Sequence, residues 1–262
     1  MCSPDNTHLP IAVTVSDSAT AGEAPAPQLI SDLVVANHIL FDQGVVDGFG
    51  HVSVRHDKTP DRFLLARNMA PGRVRAEDIV EFTLDGDPVN AAGRKVYLER
   101  FIHGEIYRRR PDIHAVVHSH SHAIVPISIA KGFRMRAVFH MAGFIGLDVP
   151  VYEIREAGGD ATDLLVSNNH LGRALAEKFD ASDIVLMRGH GSTVVGDSVQ
   201  RAVYRAVYAE LNARYLLEAT GLGDVVGLTE GECRAAVASV EAQVQRPWDL
   251  WVEQARAKRT TG

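Results

Sequence analysis

The stretch DIVLMRGHGSTVVGDSVQRAVYRAVYAELNARYLLEAT, residues 183–220, decides the fold class. Apolar side chains dominate residues 183–187, which is typical of a buried strand. The tripeptide Gly189-His190-Gly191 then predicts a sharp turn, and a second strand follows over residues 192–195. Asp197 is placed to cap a long helix that runs to about Ala219. A strand, a turn, a strand and a helix in direct succession indicate an α/β fold.

The same alternation continues on both sides of this stretch. We predict further helices over residues 28–43, 96–109, 123–130, 162–178, 229–242 and 248–258, and further strands over residues 52–55, 62–66, 79–83, 113–118 and 147–151. Residues 1–27 are rich in proline and small polar residues, which predicts a flexible N-terminal arm. Because no linker interrupts residues 28–262, we expect one α/β domain there.

The overall composition disfavours several classes of protein. Lys and Arg total 27 against 33 Asp and Glu, and the resulting net charge of −6 argues against a protein that binds nucleic acid. No apolar stretch reaches the about 18 residues of a membrane span. The two cysteines, Cys2 and Cys233, are too few for a disulfide framework or a thiolate zinc site, and they fit the reducing cytoplasm. A metal in this protein would therefore need imidazole and carboxylate ligands.

The twelve histidines provide candidate ligands. His118 and His120 lie two residues apart at a predicted strand, so their side chains share one face. His190 is presented between two glycines at the end of another predicted strand. Glu99 is the candidate carboxylate, on the predicted helix 96–109. Taken alone, each of these residues also has a purely structural interpretation. His118 and His120 would be a pair at a strand end, and His190 would be a turn residue. Glu99 would take part in an ordinary salt bridge.

In combination, these segments resemble the class II aldolase/adducin family. The resemblance extends from about residue 28 to residue 220 and rests on GHVSVR at residues 50–55, RPD at 110–112, AVVHSH at 115–120 and RGHG at 188–191, with Glu99 nineteen residues before His118. It implies a three-layer α/β/α single domain with a central, largely antiparallel sheet, assembled as a homotetramer with sites between subunits. It also implies a divalent metal ion held by His118, His120 and His190, with Glu99 as a further ligand or as an acid/base.

The departures from the sugar-phosphate aldolases of this family indicate a different substrate. His51 stands where those enzymes have an Asn, their Thr-Gly pair is missing near Asn68-Met69, and Tyr97 and Leu98 replace two serines. Hydroxyl groups that a phosphate would need are thereby lost. A flat aromatic ring would fit better against the side chains of Tyr97, Leu98, Met69 and Phe144. The pattern resembles the decarboxylase branch of the family.

That resemblance implies a carboxy-lyase for a hydroxylated aromatic dicarboxylic acid, with a pyridine ring as in pyridoxine breakdown or a benzene ring. CO2 would leave through an enolate-like intermediate stabilised by the metal. We expect Glu99 or His140 to act as the catalytic acid, and His51, Arg67 and Tyr97 to bind the substrate. Hard oxygen donors on the substrate favour Mn²⁺ over Zn²⁺. The alternatives are an aldolase for a non-phosphorylated substrate, an adducin-like scaffold and a non-haem iron oxygenase.

Overall fold

A computed structural model describes residues 22–180 and 182–260 of the chain. The strands in these ranges are β1 (His51–Arg55), β2 (Arg62–Ala66), β3 (Ile79–Thr83), β4 (Ala115–Ser119), β5 (Val151–Tyr152), β6 (Ile184–Met187) and β7 (Gly191–Gly196). The α-helices are α1 (Pro27–Asp42), α2 (Arg100–Arg109), α3 (Ile124–Ile129), α4 (Arg155–Gly158), α5 (Asn169–Ala176), α6 (Val199–Thr220), α7 (Glu230–Val240) and α8 (Gln245–Thr260). Residues 1–21 of the predicted arm lie outside the described ranges, and the arm stays a prediction.

The strands form one mixed sheet in the order β3-β2-β1-β4-β7-β6-β5. Every neighbouring pair is antiparallel except β5 and β6, which run parallel. The predicted α/β class and the largely antiparallel sheet are therefore confirmed. None of the helices in the described ranges has both the length and the apolar character that crossing a membrane requires.

Helices flank the sheet. α1 and α6 pack against each other and contact β1, β4 and β7, whereas α2 packs against β2 and α5. Side chains of β1 alternate between these layers, so that Val52 and Val54 are buried in the core while Ser53 reaches α2. The cap of α6 is Ser198, whose side chain accepts a hydrogen bond from the backbone of Arg201, so the expected cap Asp197 is wrong by one residue.

The register of the central strands gathers histidine side chains. His51 of β1 lies opposite His118 of β4, and His118 lies opposite Thr193 of β7. β4 and β7 approach very closely at Gly191, where a Cβ atom would lie 2.0 Å from the carbonyl oxygen of Ser119. Only glycine leaves room for that approach.

Three predicted elements differ from the structure by four residues or more at one end, whereas the bounds of the others agree within three residues. α2 begins at Arg100 rather than residue 96, because the carbonyl of Lys95 accepts the backbone N–H of Asn68 at 2.9 Å and draws that segment away from a helix. The helix predicted over residues 162–178 begins only at Asn169, after the cap Asn168, and the residues before it form a coil. The strand predicted over residues 147–151 is reduced to Val151–Tyr152. Proline at position 150 has no N–H for the sheet.

Candidate metal centre

Four side chains from separate segments meet at one end of β4. They are Glu99, just before α2, His118 in β4, His120, directly after β4, and His190, in the turn between β6 and β7. One donor atom from each lies within 4.8 Å of all the others. Nε2 of His190 is 3.0 Å from Nε2 of His120, and Oε2 of Glu99 is 3.5 Å from Nε2 of both His118 and His190. The structure thus brings together the four residues that the sequence singles out.

The donor atoms fit a divalent ion. Ligand atoms at about 2.1 Å from a tetrahedrally coordinated ion lie roughly 3.4 Å from one another, which matches these separations. Nε2 of His118 is buried and has no hydrogen-bond partner in the described part of the chain, although a buried polar atom is normally paired. An ion at the centre of the cluster would satisfy that nitrogen. Imidazole nitrogen with one carboxylate oxygen is a common donor set for Zn, Mn, Fe and Co.

Backbone groups hold two of these side chains in place. Nδ1 of His190 lies 2.9 Å from the carbonyl oxygen of Leu164, to which it donates when Nε2 is left free for an ion. The backbone N–H of Val166 donates to Oε1 of Glu99 at 3.0 Å, so that Oε2 faces the histidines. Leu164 has a φ of +69°, which is unusual for a residue other than glycine. The coil before α5 therefore supports the cluster.

The electrostatics favour neutral His118 and His120 and an ionised Glu99. For His190, burial would lower the pKa, but the hydrogen bond and the charge of the Glu99 carboxylate outweigh burial and raise it. Burial lowers the pKa of His120 to about 4, with His118 and His190 adding to the effect, and burial also lowers the pKa of His118. Burial would raise the pKa of Glu99, but the His118 and His190 imidazoles outweigh it and hold that pKa well below its usual range. Neutral imidazoles and an ionised carboxylate are the forms that bind metal.

His51 and Tyr97 form one wall beside the cluster. The ring of His51 is 5.0 Å from the ring of His118 and 4.7 Å from the ring of Tyr97, between centroids. The hydroxyl of Tyr97 donates to the carbonyl oxygen of Met69. Burial raises the pKa of Tyr97 to about 12 despite the opposing charge of Arg67. These contacts line the region with flat, uncharged rings.

Arg67 is not one of the four side chains of the cluster and makes an ion pair of its own. Its Nε donates to Oδ1 of Asp78 at 2.6 Å, and its side chain is 38% exposed. Arg67 and Met69 border a cavity of about 1100 Å³ that also receives the cationic side chains of Arg73, Arg75, Lys258 and Arg259. The acidic side chains of Glu77 and Asp78 border the same cavity, so its lining carries charges of both signs.

Phe49 is a neighbour of the cluster that the sequence analysis misses. Its side chain is 69% exposed, and its ring centroid lies 6.1 Å from that of His120. The backbone N–H of Phe49 donates to Oδ1 of Asp47 at 2.8 Å, which fixes the loop. A signal for it exists in the sequence, since Phe49 stands between Gly48 and Gly50 just as His190 stands between two glycines.

Two predicted residues lie elsewhere in the chain's own fold. His140 is exposed at the start of a 3₁₀ turn, His140–Ile145, where its ring contacts Phe139. Phe144 packs beside the guanidinium of Arg205, with 5.6 Å from the ring centroid to Cζ. Within one chain, His140 is therefore not part of the cluster.

The sequence matches known proteins along most of its length. The family model described as Class II Aldolase and Adducin N-terminal domain matches residues 31–217. Decarboxylase tropJ from Talaromyces stipitatus is 38% identical over 253 residues, which cover 88% of this chain and 95% of that protein. The 3,4-dihydroxyphthalate decarboxylase from Arthrobacter keyseri is 30% identical over 203 residues, covering 73% of this chain and 78% of that protein.

Solved structures share the architecture. The L-fuculose 1-phosphate aldolase from Glaciozyma antarctica PI12 superposes with a TM-score of 0.71 at 20% sequence identity, covering 88% of this chain and 90% of that one. At that identity the likeness supports the fold and carries no information about the substrate.

Proposed function

The chain belongs to the class II aldolase and adducin family, and from that premise we propose that it is a divalent-metal-dependent carboxy-lyase for a hydroxylated aromatic dicarboxylic acid. Relatives named as decarboxylases, together with membership of this family, support a lyase. The choice of an aromatic substrate rests on one observation, the aromatic and imidazole rings that surround the cluster. Tyr97 packs on His51 on one side, and the exposed ring of Phe49 stands near His120 on the other. Such surroundings favour a planar ring over a sugar phosphate.

Glu99, His118, His120 and His190 would hold the metal. When bound there, the ion supplies a Lewis acid that stabilises negative charge on substrate oxygen. We favour Mn²⁺ because a hydroxy acid offers hard oxygen donors, with Zn²⁺ as the second choice. The intact set of four residues disfavours the adducin-like scaffold, which would not need it.

The protein's own side chains have two further tasks. The reaction requires a proton on the ring carbon that bears the departing carboxylate and the loss of the proton from the neighbouring hydroxyl, which together convert the ortho-hydroxy acid into a β-keto acid. The bond to the carboxylate then breaks, CO2 leaves, and the electron pair restores the aromatic ring with its charge on the former hydroxyl oxygen, which takes up a proton again. We propose that Arg67 and His51 hold the second carboxylate, Arg67 as a cation and His51 as a hydrogen-bond donor.

Of the two candidate acids, we favour His140 over Glu99. The pKa of Glu99 is held well below its usual range by the two imidazoles that it faces, so Glu99 is better suited to hold a cation than to deliver a proton. His140 is exposed on this chain and would reach the site of a neighbouring subunit in a homotetramer. Mixing His140→Ala chains with His120→Ala chains tests this arrangement. Recovered activity in the mixed oligomer supports a shared site, and full activity of His140→Ala alone contradicts it.

The activity is tested by stripping the full chain of metal, adding back Mn²⁺ or Zn²⁺, and measuring CO2 release from hydroxylated benzene and pyridine dicarboxylates. We expect release that a chelator abolishes. His120→Ala should lose it, whereas His122→Ala, a matched variant at an exposed histidine two residues on, should retain it. An aldolase for a non-phosphorylated substrate would instead release pyruvate or glycolaldehyde. An absence of CO2 from every acid would refute the decarboxylase proposal.

A further inference from the structure

Four buried polar side chains form a continuous chain that leads from the metal centre towards α2. Nδ1 of His51 lies 2.7 Å from Nε2 of His103, Nδ1 of His103 lies 2.6 Å from Oγ of Ser53, and Oγ of Ser53 lies 2.8 Å from the hydroxyl of Tyr107. Their exposed fractions lie between 0% and 3%. Leaving such a group unpaired costs about 1–3 kcal/mol, so the four must satisfy one another.

We propose that this chain of four hydrogen-bonded side chains keeps the proton of His51 on Nε2, so that His51 presents an N–H donor to a carboxylate oxygen of the substrate. The identity of that ligand rests on the proposed function. Nδ1 of His51 is occupied by His103, and Nε2 is the nitrogen left for the site, where the ring lies 5.0 Å from the ring of His118.

The direction of the hydrogen bonds follows from the far end of the chain. The phenol of Tyr107 is a more acidic hydroxyl than that of Ser53, so it donates to Oγ of Ser53. Ser53 then directs its own proton to Nδ1 of His103. A neutral imidazole carries one proton, and that of His103 is consequently on Nε2. His103 donates to Nδ1 of His51, which leaves the proton of His51 on Nε2.

This order matters for an anionic ligand. The opposite tautomer of His51 would direct a nitrogen lone pair at the carboxylate and repel it, whereas the Nε2–H group donates to it. His103, Ser53 and Tyr107 act only through His51 and are positioning residues. Since each neutral hydrogen bond contributes modestly, the chain matters by selecting one tautomer and not by adding binding contacts.

Neutron diffraction from crystals of the deuterated full chain locates the proton directly. Deuterium on Nε2 of both His51 and His103 is expected. Deuterium on Nδ1 of His51 would overturn the inference. Because this observation needs no substrate, it decides the tautomer even if the proposed activity fails.

The consequence for binding is tested with two probes on the full chain loaded with Zn²⁺: phthalate, a dicarboxylate, and catechol, which has no carboxylate. Tyr107→Phe should weaken phthalate binding about two- to tenfold, the range of one neutral hydrogen bond, and leave catechol binding unchanged. Tyr204→Phe is the matched control. Its phenol is equally buried, but donates to the carbonyl oxygen of Met141 and lies outside the chain of four.

Isothermal titration calorimetry separates the outcomes. Unchanged phthalate affinity in Tyr107→Phe, or an equal loss in Tyr204→Phe, would overturn the proposed role of the chain. Failure of the unaltered protein to bind either probe would count against the proposed substrate class, and the neutron result would still stand alone. Thermal unfolding of both variants checks that each remains folded.

Discussion

Gly191→Ala should dismantle the metal centre while leaving all four of its candidate ligands in the sequence. Gly191 opens β7 directly after His190, and it faces the carbonyl oxygen of Ser119, the residue between His118 and His120. A Cβ atom on residue 191 would lie 2.0 Å from that oxygen, whereas real Cβ contacts essentially never fall below 3.0 Å. The two backbones must therefore separate by at least 1 Å.

That displacement sets the size of the effect. The backbone segments that move carry His120, directly after β4, and His190, directly before β7, and the Nε2 atoms of these two residues lie only 3.0 Å apart. Misplacing a site by about 1 Å can cost on the order of 100-fold, and we expect a loss of metal affinity of that order. Overpacking of this kind also lowers the free energy of unfolding by about 1–3 kcal/mol.

Gly189→Ala is the matched control on the other side of His190. Gly189 has a φ of +67°, so alanine is strained there by about 1–2 kcal/mol, yet the nearest atom to its Cβ would be 3.7 Å away. Both variants should thus lose similar stability in urea unfolding of the metal-free protein. Only Gly191→Ala should lose affinity when Zn²⁺ is titrated against a chelating dye. Equal affinities in the two variants would refute the close approach of β4 and β7.

Three further predictions concern the surroundings of the centre. Phe49→Ala should raise KM for an aromatic substrate about three- to tenfold, which is the range of one aromatic contact, and should leave the metal content unchanged. The control Leu250→Ala, which alters another exposed apolar side chain, should leave KM unaltered. Arg67→Ala should raise KM at least about tenfold, as loss of a charge-assisted hydrogen bond does, and an unchanged KM in steady-state kinetics would exclude Arg67 as a carboxylate partner. Hydrogen bonds from Arg155 and the charge of Arg188 lower the pKa of Glu153 to about 2. The contribution of Glu153 to stability is therefore present above pH about 4.5 and is lost as pH falls towards 2. In Glu153→Gln, the free energy of unfolding should depend less on pH within that window.

Much of the fold is predictable because the periodicity of the apolar residues and the positions of the turn-forming residues indicate the same elements along most of the chain. The predicted strands over residues 62–66 and 79–83 coincide with β2 and β3, and the predicted helix over residues 28–43 is displaced by one residue from α1. In each case the apolar side chains face the core, so local pattern and tertiary packing favour the same structure. The antiparallel order of the sheet was expected only from the family resemblance, since pairing depends on contacts distant in sequence.

The candidate site was predictable where side-chain type carries the signal. His118, His120, His190 and Glu99 each have a structural interpretation when taken alone, and only the family resemblance joins them into one set. The structure brings the four together, with the histidines gathered at the adjacent ends of β4 and β7. No such signal marks His103, which is a single buried histidine on an otherwise ordinary helix. Its importance depends on the 2.7 Å contact with His51, which no spacing rule encodes.

The helix predicted over residues 162–178 shows why the remaining part of the site could not be predicted from the sequence. Its first half is a coil in the structure, and the contribution of that coil to the site comes from the main chain. The carbonyl oxygen of Leu164 meets Nδ1 of His190, and the N–H of Val166 donates to Glu99. A helix over these residues would consume both backbone groups in its own hydrogen bonds. As a coil, with φ of +69° at Leu164, the segment leaves both backbone groups free for the site, and side-chain type gives no sign of this role of the main chain.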